Sequence, residues 1–166
     1  MTDKNLQLSQ IPIVKTGMLI RQPPSKVYEA FVDPAITTKF WFTKSTSKLE
    51  LGKEITWTWE MYNVSSQVKV KEMEENKRIL VEWSGYGAPT LIEWEFTLHQ
   101  KDDDNHSQYT YVSITHSGFE VTKEKNADQV VNEALGSREG FAWVLAGLKA
   151  YLEQNIQLNL IGDAFP

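Results

Sequence analysis

The spacing of apolar residues changes twice along this chain, and each change marks a change of secondary structure. Residues 11–20 read as a first strand, with Ile13 and Val14 followed by Met18, Leu19 and Ile20. Pro23-Pro24 stops it. Proline suits the first turn of a helix, where an N–H has no intrahelical partner, and Val27, Tyr28, Phe31 and Val32 follow at helical spacing. Asp33-Pro34 ends that helix, because the residue before proline is pushed out of helical geometry. A second short helix is predicted over about residues 36–42, carrying Phe40, Trp41 and Phe42.

From there the period falls to two. Ile55, Trp57, Trp59 and Met61 alternate with Thr56, Thr58 and Glu60. The same alternation sets Val68 and Val70 on one strand, Ile79, Val81 and Trp83 on the next, then Ile92, Trp94, Phe96 and Leu98, and last Val112, Ile114 and His116. Each segment is a strand with one apolar face, and the turns between them are short, Glu74-Glu75-Asn76-Lys77 and residues 101–107 among them. Such a meander is antiparallel, with one face on a core and the other in water.

The last third returns to a helical period. Val130, Ala134, Phe141, Val144, Leu145, Leu148 and Leu152 form one stripe, with Gly136, Gly140 and Gly147 inside it. A helix over residues 127–156 is roughly 45 Å long, enough to cross the whole sheet. The expected class is therefore α+β: a curved antiparallel sheet of about six or seven strands wrapped on a long C-terminal helix, with two short helices after the first strand. Residues 1–10 are polar and are expected to be a flexible N-terminus, and residues 11–166 one domain.

Composition narrows the function. A chain of 166 residues buries enough surface to need no disulfide or metal staple. It holds 17 Lys and Arg against 22 Asp and Glu, a net charge of −5, which argues against nucleic acid and anionic lipid as partners. The absence of cysteine removes disulfides, thiolate metal sites and a cysteine nucleophile. No signal-like apolar segment opens the chain and no run reaches the length of a membrane span, so a cytoplasmic location without membrane insertion is expected. Six Trp, six Tyr and seven Phe are the conspicuous excess. They fill the core or line a hollow within it.

Motifs for other chemistries are missing. There is no glycine-rich phosphate loop, no H-E-x-x-H and no G-x-S-x-G. Asp102, Asp103, Asp104 and Asn105 suggest a calcium loop, yet the sixth position is Ser107 where glycine is needed and the twelfth is Ser113 where glutamate is needed. A solvated hairpin tip is the expected reading. His99, His106 and His116 have no metal-ligand spacing, so neither a metal nor another cofactor is expected. Glu93 and Glu95 share the polar face of their strand, where carboxylates stay solvated and do no acid–base work.

Several segments resemble one family. Pro23-Pro24-Ser25-Lys26-Val27-Tyr28-Glu29-Ala30-Phe31 resembles its opening helix of proline, polar residues and Val-Trp-x-Ala-Leu. Asp33-Pro34 with Trp41, and Leu51-Gly52-Lys53, resemble its next two motifs. Arg78-Ile79-Leu80-Val81-Glu82-Trp83 and Thr115-His116-Ser117-Gly118-Phe119 resemble two of its strands, and Gly140-Phe141 with Leu145, Leu148-Lys149 and Leu152-Glu153 its closing helix. The family comprises homologues of the activator of the ninety-kilodalton heat-shock protein ATPase, within the START-like, or helix-grip, superfamily. The resemblance spans about residues 11–160. Phe141 replaces the usual tryptophan, Glu75 stands where proline is common, and a Gly-Gly-Thr turn is missing before the sixth strand.

The resemblance implies a cavity between sheet and C-terminal helix that takes lipids, polyketides or other apolar small molecules. The candidate ligand-binding set is Trp41, Trp57, Trp59, Trp83, Tyr86, Trp94 and His116, with Phe141, Leu145 and Leu148 from the helix. Rings with a polar handle suit such a pocket, because an indole N–H orients a ligand while its face supplies contact area. Two alternatives stand beside binding. One is a cyclase- or hydrolase-type enzyme using His116 in the same cavity, with Tyr86 as a donor at its mouth. The other is a stress-response co-chaperone module that regulates a heat-shock ATPase. A chaperone partner and a homodimer are open.

Overall fold

The alternating segments fold into one antiparallel sheet. A computed structural model of the protein describes residues 7–85, 87–103 and 105–166. Its strands are β1 (Val14–Ile20), β2 (Lys44–Ser45), β3 (Glu54–Trp59), β4 (Val64–Glu74), β5 (Arg78–Trp83), β6 (Thr90–Gln100) and β7 (Gln108–Ser117). Among the described residues they form a seven-stranded sheet in the order β1-β7-β6-β5-β4-β3-β2. Every neighbouring pair after β1 is consecutive in sequence, as a meander requires. Between Val70 and Glu72 the pairing of β4 with β5 shifts by a bulge. An extra residue there bends the strand and adds curvature to the sheet.

Helix α1 (Pro24–Val32) buries Val27, Tyr28, Ala30 and Phe31, and the extended backbone of Asp33 stops it. Helix α2 covers only Pro34–Thr37, one turn in place of the longer helix expected over residues 36–42. The buried Thr37 hydroxyl donates to the Ala30 carbonyl at 2.6 Å. Lys39 and Phe40 then close i→i−3 turns. A helix would point three successive side chains about 100° apart; the irregular path instead buries Phe40, Trp41 and Phe42 together. Met61 also departs from expectation. β3 ends at Trp59, and Glu60–Tyr62 form a 3₁₀ turn. The Glu60 N–H donates to the Thr43 hydroxyl and Asn63 turns left-handed at φ 51°, which leaves Met61 exposed.

Helix α3 (Ala127–Gln154) has 28 residues and opens with a capping box between Asn126 and Gln129. Left-handed Asn155 ends it, two residues before the expected boundary. The apolar stripe lies against the sheet, with Val130, Ala134, Phe141, Val144, Leu145 and Leu148 buried. Gly147 lies close against the segment after α2: a Cβ there would meet Phe40 Cβ at 3.2 Å and the Phe40 carbonyl at 3.4 Å. No helix among the described residues is long and apolar enough to cross a membrane.

Beyond α3, residues 155–166 turn back towards the sheet. The Tyr62 hydroxyl donates to the Ile161 carbonyl, and the Tyr62 and Phe165 rings meet edge to face at 5.8 Å. The stripe on α3 carries no information about this return.

Candidate functional site

Helix α3 packs closely in two regions, around Val130 and Ala134 and around Leu145 and Leu148, and a hollow lies between them. In the region of Leu145 and Leu148, Trp57 is 1% exposed and stacks on Phe42 at 4.9 Å and 18°. Trp94, equally buried, packs its ring 5.7 Å from Phe31. Leu145 and Leu148 complete this core from the helix. Between the two packed regions a cavity of about 430 Å³ remains. That volume falls within the range of small-molecule sites.

Four elements wall the cavity. The sheet side brings Trp59, Ser66, Trp83 and Gly85, and the segment after α2 brings Trp41. Gly136, Ser137, Gly140, Phe141, Trp143 and Val144 come from α3. Tyr62 and Val64 also line it, with Ile161, Ala164 and Phe165 of the returning tail. The indoles hold one another in place, with Trp41 and Trp59 6.3 Å apart and Trp59 and Trp83 6.4 Å apart. Gly85 leaves room for the Trp83 indole, since a Cβ at 85 would run into that ring.

Two glycines keep the helix wall open. A Cβ built at Gly136 or Gly140 meets nothing within 4 Å. Glycine inside a helix costs about 1 kcal/mol relative to alanine, so these positions give up stability while leaving space unfilled. They lie one helical turn apart on the cavity face.

His116 sits behind this wall and is fully buried. Its Nδ1 lies 2.6 Å from the Ser137 hydroxyl and its Nε2 2.7 Å from the Thr90 hydroxyl. Thr90 donates its single proton to the Trp83 carbonyl at 3.1 Å. With that proton directed to the carbonyl, we assign the imidazole proton to Nε2, from which Thr90 accepts. Burial pushes the imidazole pKa down to about 4, so at neutral pH the ring is uncharged and Nδ1 is an acceptor. Ser137 donates to it. One directed chain results: Ser137 to His116, His116 to Thr90, Thr90 to the carbonyl of Trp83.

This arrangement contains the hydroxyl–imidazole half of a nucleophilic pair. The group behind the imidazole is a hydroxyl and not a carboxylate, so it supplies no charge to stabilise an imidazolium. A base held near pKa 4 draws a proton from serine poorly. The geometry instead orients Ser137.

Of the ten residues singled out from the sequence, Trp41, Trp59, Trp83 and Phe141 come together on the cavity wall. His116 touches it through Ser137. Trp57, Trp94, Leu145 and Leu148 lie in the packed core, and Tyr86 lies outside the described residues. Sequence reasoning passed over Ser66, Tyr62, Ser137, Trp143 and the tail residues. Ser137 had a signal: it falls on the buried stripe between Ala134 and Phe141, where a polar residue needs a partner.

Other candidate groups lie elsewhere. Among the described residues no three His, Asp or Glu side chains cluster as metal ligands would. The Asp103 carboxylate accepts from the Ser107 N–H at 3.0 Å within the β6–β7 hairpin tip, and Asp104 lies outside the described residues. Glu93 lies on the outer face beside Arg78, whose Nε donates to it at 2.6 Å, and Glu95 is exposed.

Comparison with known proteins places this architecture. The protein SSP2350 from Staphylococcus saprophyticus is 31% identical, with a TM-score of 0.69 over 89% of this chain and 96% of its own. The Aha1 dimer from Colwellia psychrerythraea is 20% identical, with a TM-score of 0.66 over 86% of this chain and 97% of its own. DynU16, a putative protein in the dynemicin biosynthetic locus, is 17% identical, with a TM-score of 0.69 over 87% of this chain and 48% of its own. At those lower identities the last two show the fold. No curated protein matches the chain. The family model of activator of Hsp90 ATPase homolog 1-like proteins matches residues 21–153. With most of its length matched and the sheet, short helices and long C-terminal helix in place, the chain belongs to the activator of Hsp90 ATPase homolog 1-like family.

Proposed function

We propose that the protein binds an apolar or aromatic small molecule, lipid-like or polyketide-like, in the cavity between the sheet and α3. One observation carries this: Gly136 and Gly140 line the same cavity as Trp41, Trp59 and Trp83, and a Cβ added at either would meet nothing within 4 Å. A protein that used its aromatics only as filling would gain helix stability by placing alanine or leucine there. Indole faces and a few polar groups around an apolar hollow are the usual makings of a ligand site.

The test is to compare native and denatured mass for a copurifying compound, then to screen a broad apolar panel by thermal shift. Retained ligand or a rise in melting temperature is expected. A panel that shifts nothing overturns the proposal.

A second reading rests on the family itself, whose description names an activator of the Hsp90 ATPase. In that case the protein raises the rate of ATP hydrolysis by a heat-shock ATPase that it captures in a pull-down. Unchanged hydrolysis removes it. A homodimer is proposed by likeness to the Colwellia protein, described as a dimer. Light scattering that gives the monomer mass across the micromolar range excludes it.

A further inference from the structure

Resting on the cavity-binding proposal, the hydrogen-bond chain behind the wall narrows what the ligand is. We infer that Ser137 is an obligate hydrogen-bond acceptor for the cavity, and that the ligand is a neutral apolar ring compound bearing a hydroxyl donor, a phenol or cyclic alcohol, not a carboxylate.

The polarity follows from counting protons. Thr90 has one and gives it to the Trp83 carbonyl. The Nε2 proton of His116 goes to Thr90, and the Ser137 proton goes to Nδ1. A serine hydroxyl has one donor and two lone pairs, so after this donation Ser137 offers a ligand only lone pairs. Ser137 is 3% exposed and stands on the cavity wall. An approaching carbonyl or carboxylate oxygen would meet another acceptor, whereas a ligand O–H would complete the chain with every proton directed the same way. Chains of this kind strengthen each member.

Charge gives a second, independent reason. Among the described residues no Lys, Arg, His, Asp or Glu lines the cavity. A carboxylate entering it loses water without gaining a counter-charge, which is heavily unfavourable. Of the other hydroxyls on the wall among the described residues, Tyr62 gives its proton to the Ile161 carbonyl, and Ser66 can rotate to serve either a donor or an acceptor, so neither favours a charged ligand.

The experiment uses four matched probes on the whole chain: naphthalene, 2-naphthol, 2-methoxynaphthalene and 2-naphthoate, titrated by calorimetry and by amide chemical shifts. The expected result is that 2-naphthol binds about 3- to 10-fold more tightly than naphthalene or its methyl ether, the gain typical of one neutral hydrogen bond. The naphthoate binds weakest. Ser137→Ala removes the advantage of 2-naphthol and leaves naphthalene affinity within about 2-fold. If the variant does not fold, the comparison of 2-naphthol with its methyl ether on the unaltered protein decides alone. Equal affinities for the neutral probes, or a preference for the naphthoate, overturn the inference while leaving the cavity as a binding site. Silence from all four probes removes the binding proposal and this inference together.

Discussion

His116 Nδ1 and the Ser137 hydroxyl lie 2.6 Å apart, joining strand β7 to helix α3 behind the cavity. The contact places a titratable ring in a fully buried position and ties its protonation to folding.

That linkage sets a pH dependence. The folded-state pKa of His116 is near 4, below the usual value of 6.5, because burial disfavours the charged ring. Between those values the unfolded chain binds a proton that the folded chain refuses, so stability rises with pH. The contribution of this residue is fullest above pH 6.5 and falls by about 2 kcal/mol between pH 7 and pH 5. Urea unfolding of the native protein and of His116→Gln checks it. The difference between their pH slopes over this interval isolates the histidine from the carboxylates.

The glycines of α3 separate into two classes. Gly140→Ala adds a Cβ where nothing lies within 4 Å and removes the conformational freedom of glycine. It is expected to stabilise the fold by about 0.5–1 kcal/mol, seen as a higher melting temperature. Gly140→Leu keeps the fold and occupies the cavity, so ligands found in the screen lose affinity by at least ~10-fold.

Gly147 behaves in the opposite way. Its Cβ position is 3.2 Å from Phe40 Cβ and 3.4 Å from the Phe40 carbonyl, in a segment fixed by burial. Gly147→Val forces α3 away from Phe40 and costs about 1–3 kcal/mol, measured by chemical denaturation. A neutral result would show that the helix shifts freely at this crossing.

Tyr62 anchors the returning tail through its hydroxyl. Tyr62→Phe keeps the edge-to-face contact with Phe165 and removes the hydrogen bond to the Ile161 carbonyl. The expected stability loss is about 1 kcal/mol, with faster amide exchange confined to residues near 161–165. Global acceleration of exchange would mean that the tail is part of the core.

The buried pair in the core offers a contrast with the cavity wall. Trp57→Ala removes a ring that is 1% exposed and stacked on Phe42, and is expected to cost about 3–5 kcal/mol. Trp83, only partly buried beside Gly85 on the cavity wall, has space on one side and costs less. Unfolding curves for the two variants, measured together, test whether packing is closed around Trp57 and open around Trp83.

Hydrophobic spacing is enough to say which residues face inwards. Period-two alternation placed Trp57, Trp59, Trp83 and Trp94 on one face of the meander, and the helical stripe placed Phe141, Val144, Leu145 and Leu148 opposite them. Local pattern carries that information because a side chain's direction follows from backbone period alone. It carries no distance between the two faces. The folded arrangement packs Trp57 and Trp94 on all sides, while Trp41 and Trp59 of the same core, together with Trp83, also border a hollow. That division depends on the bend of the sheet, the close crossing at Gly147, the room left at Gly136 and Gly140, and a tail that returns to Tyr62 from 99 residues away. The same holds for Ser137: its place on the stripe was written in the sequence, but the direction of its proton was set by His116, Thr90 and Trp83, which reach it only through the fold.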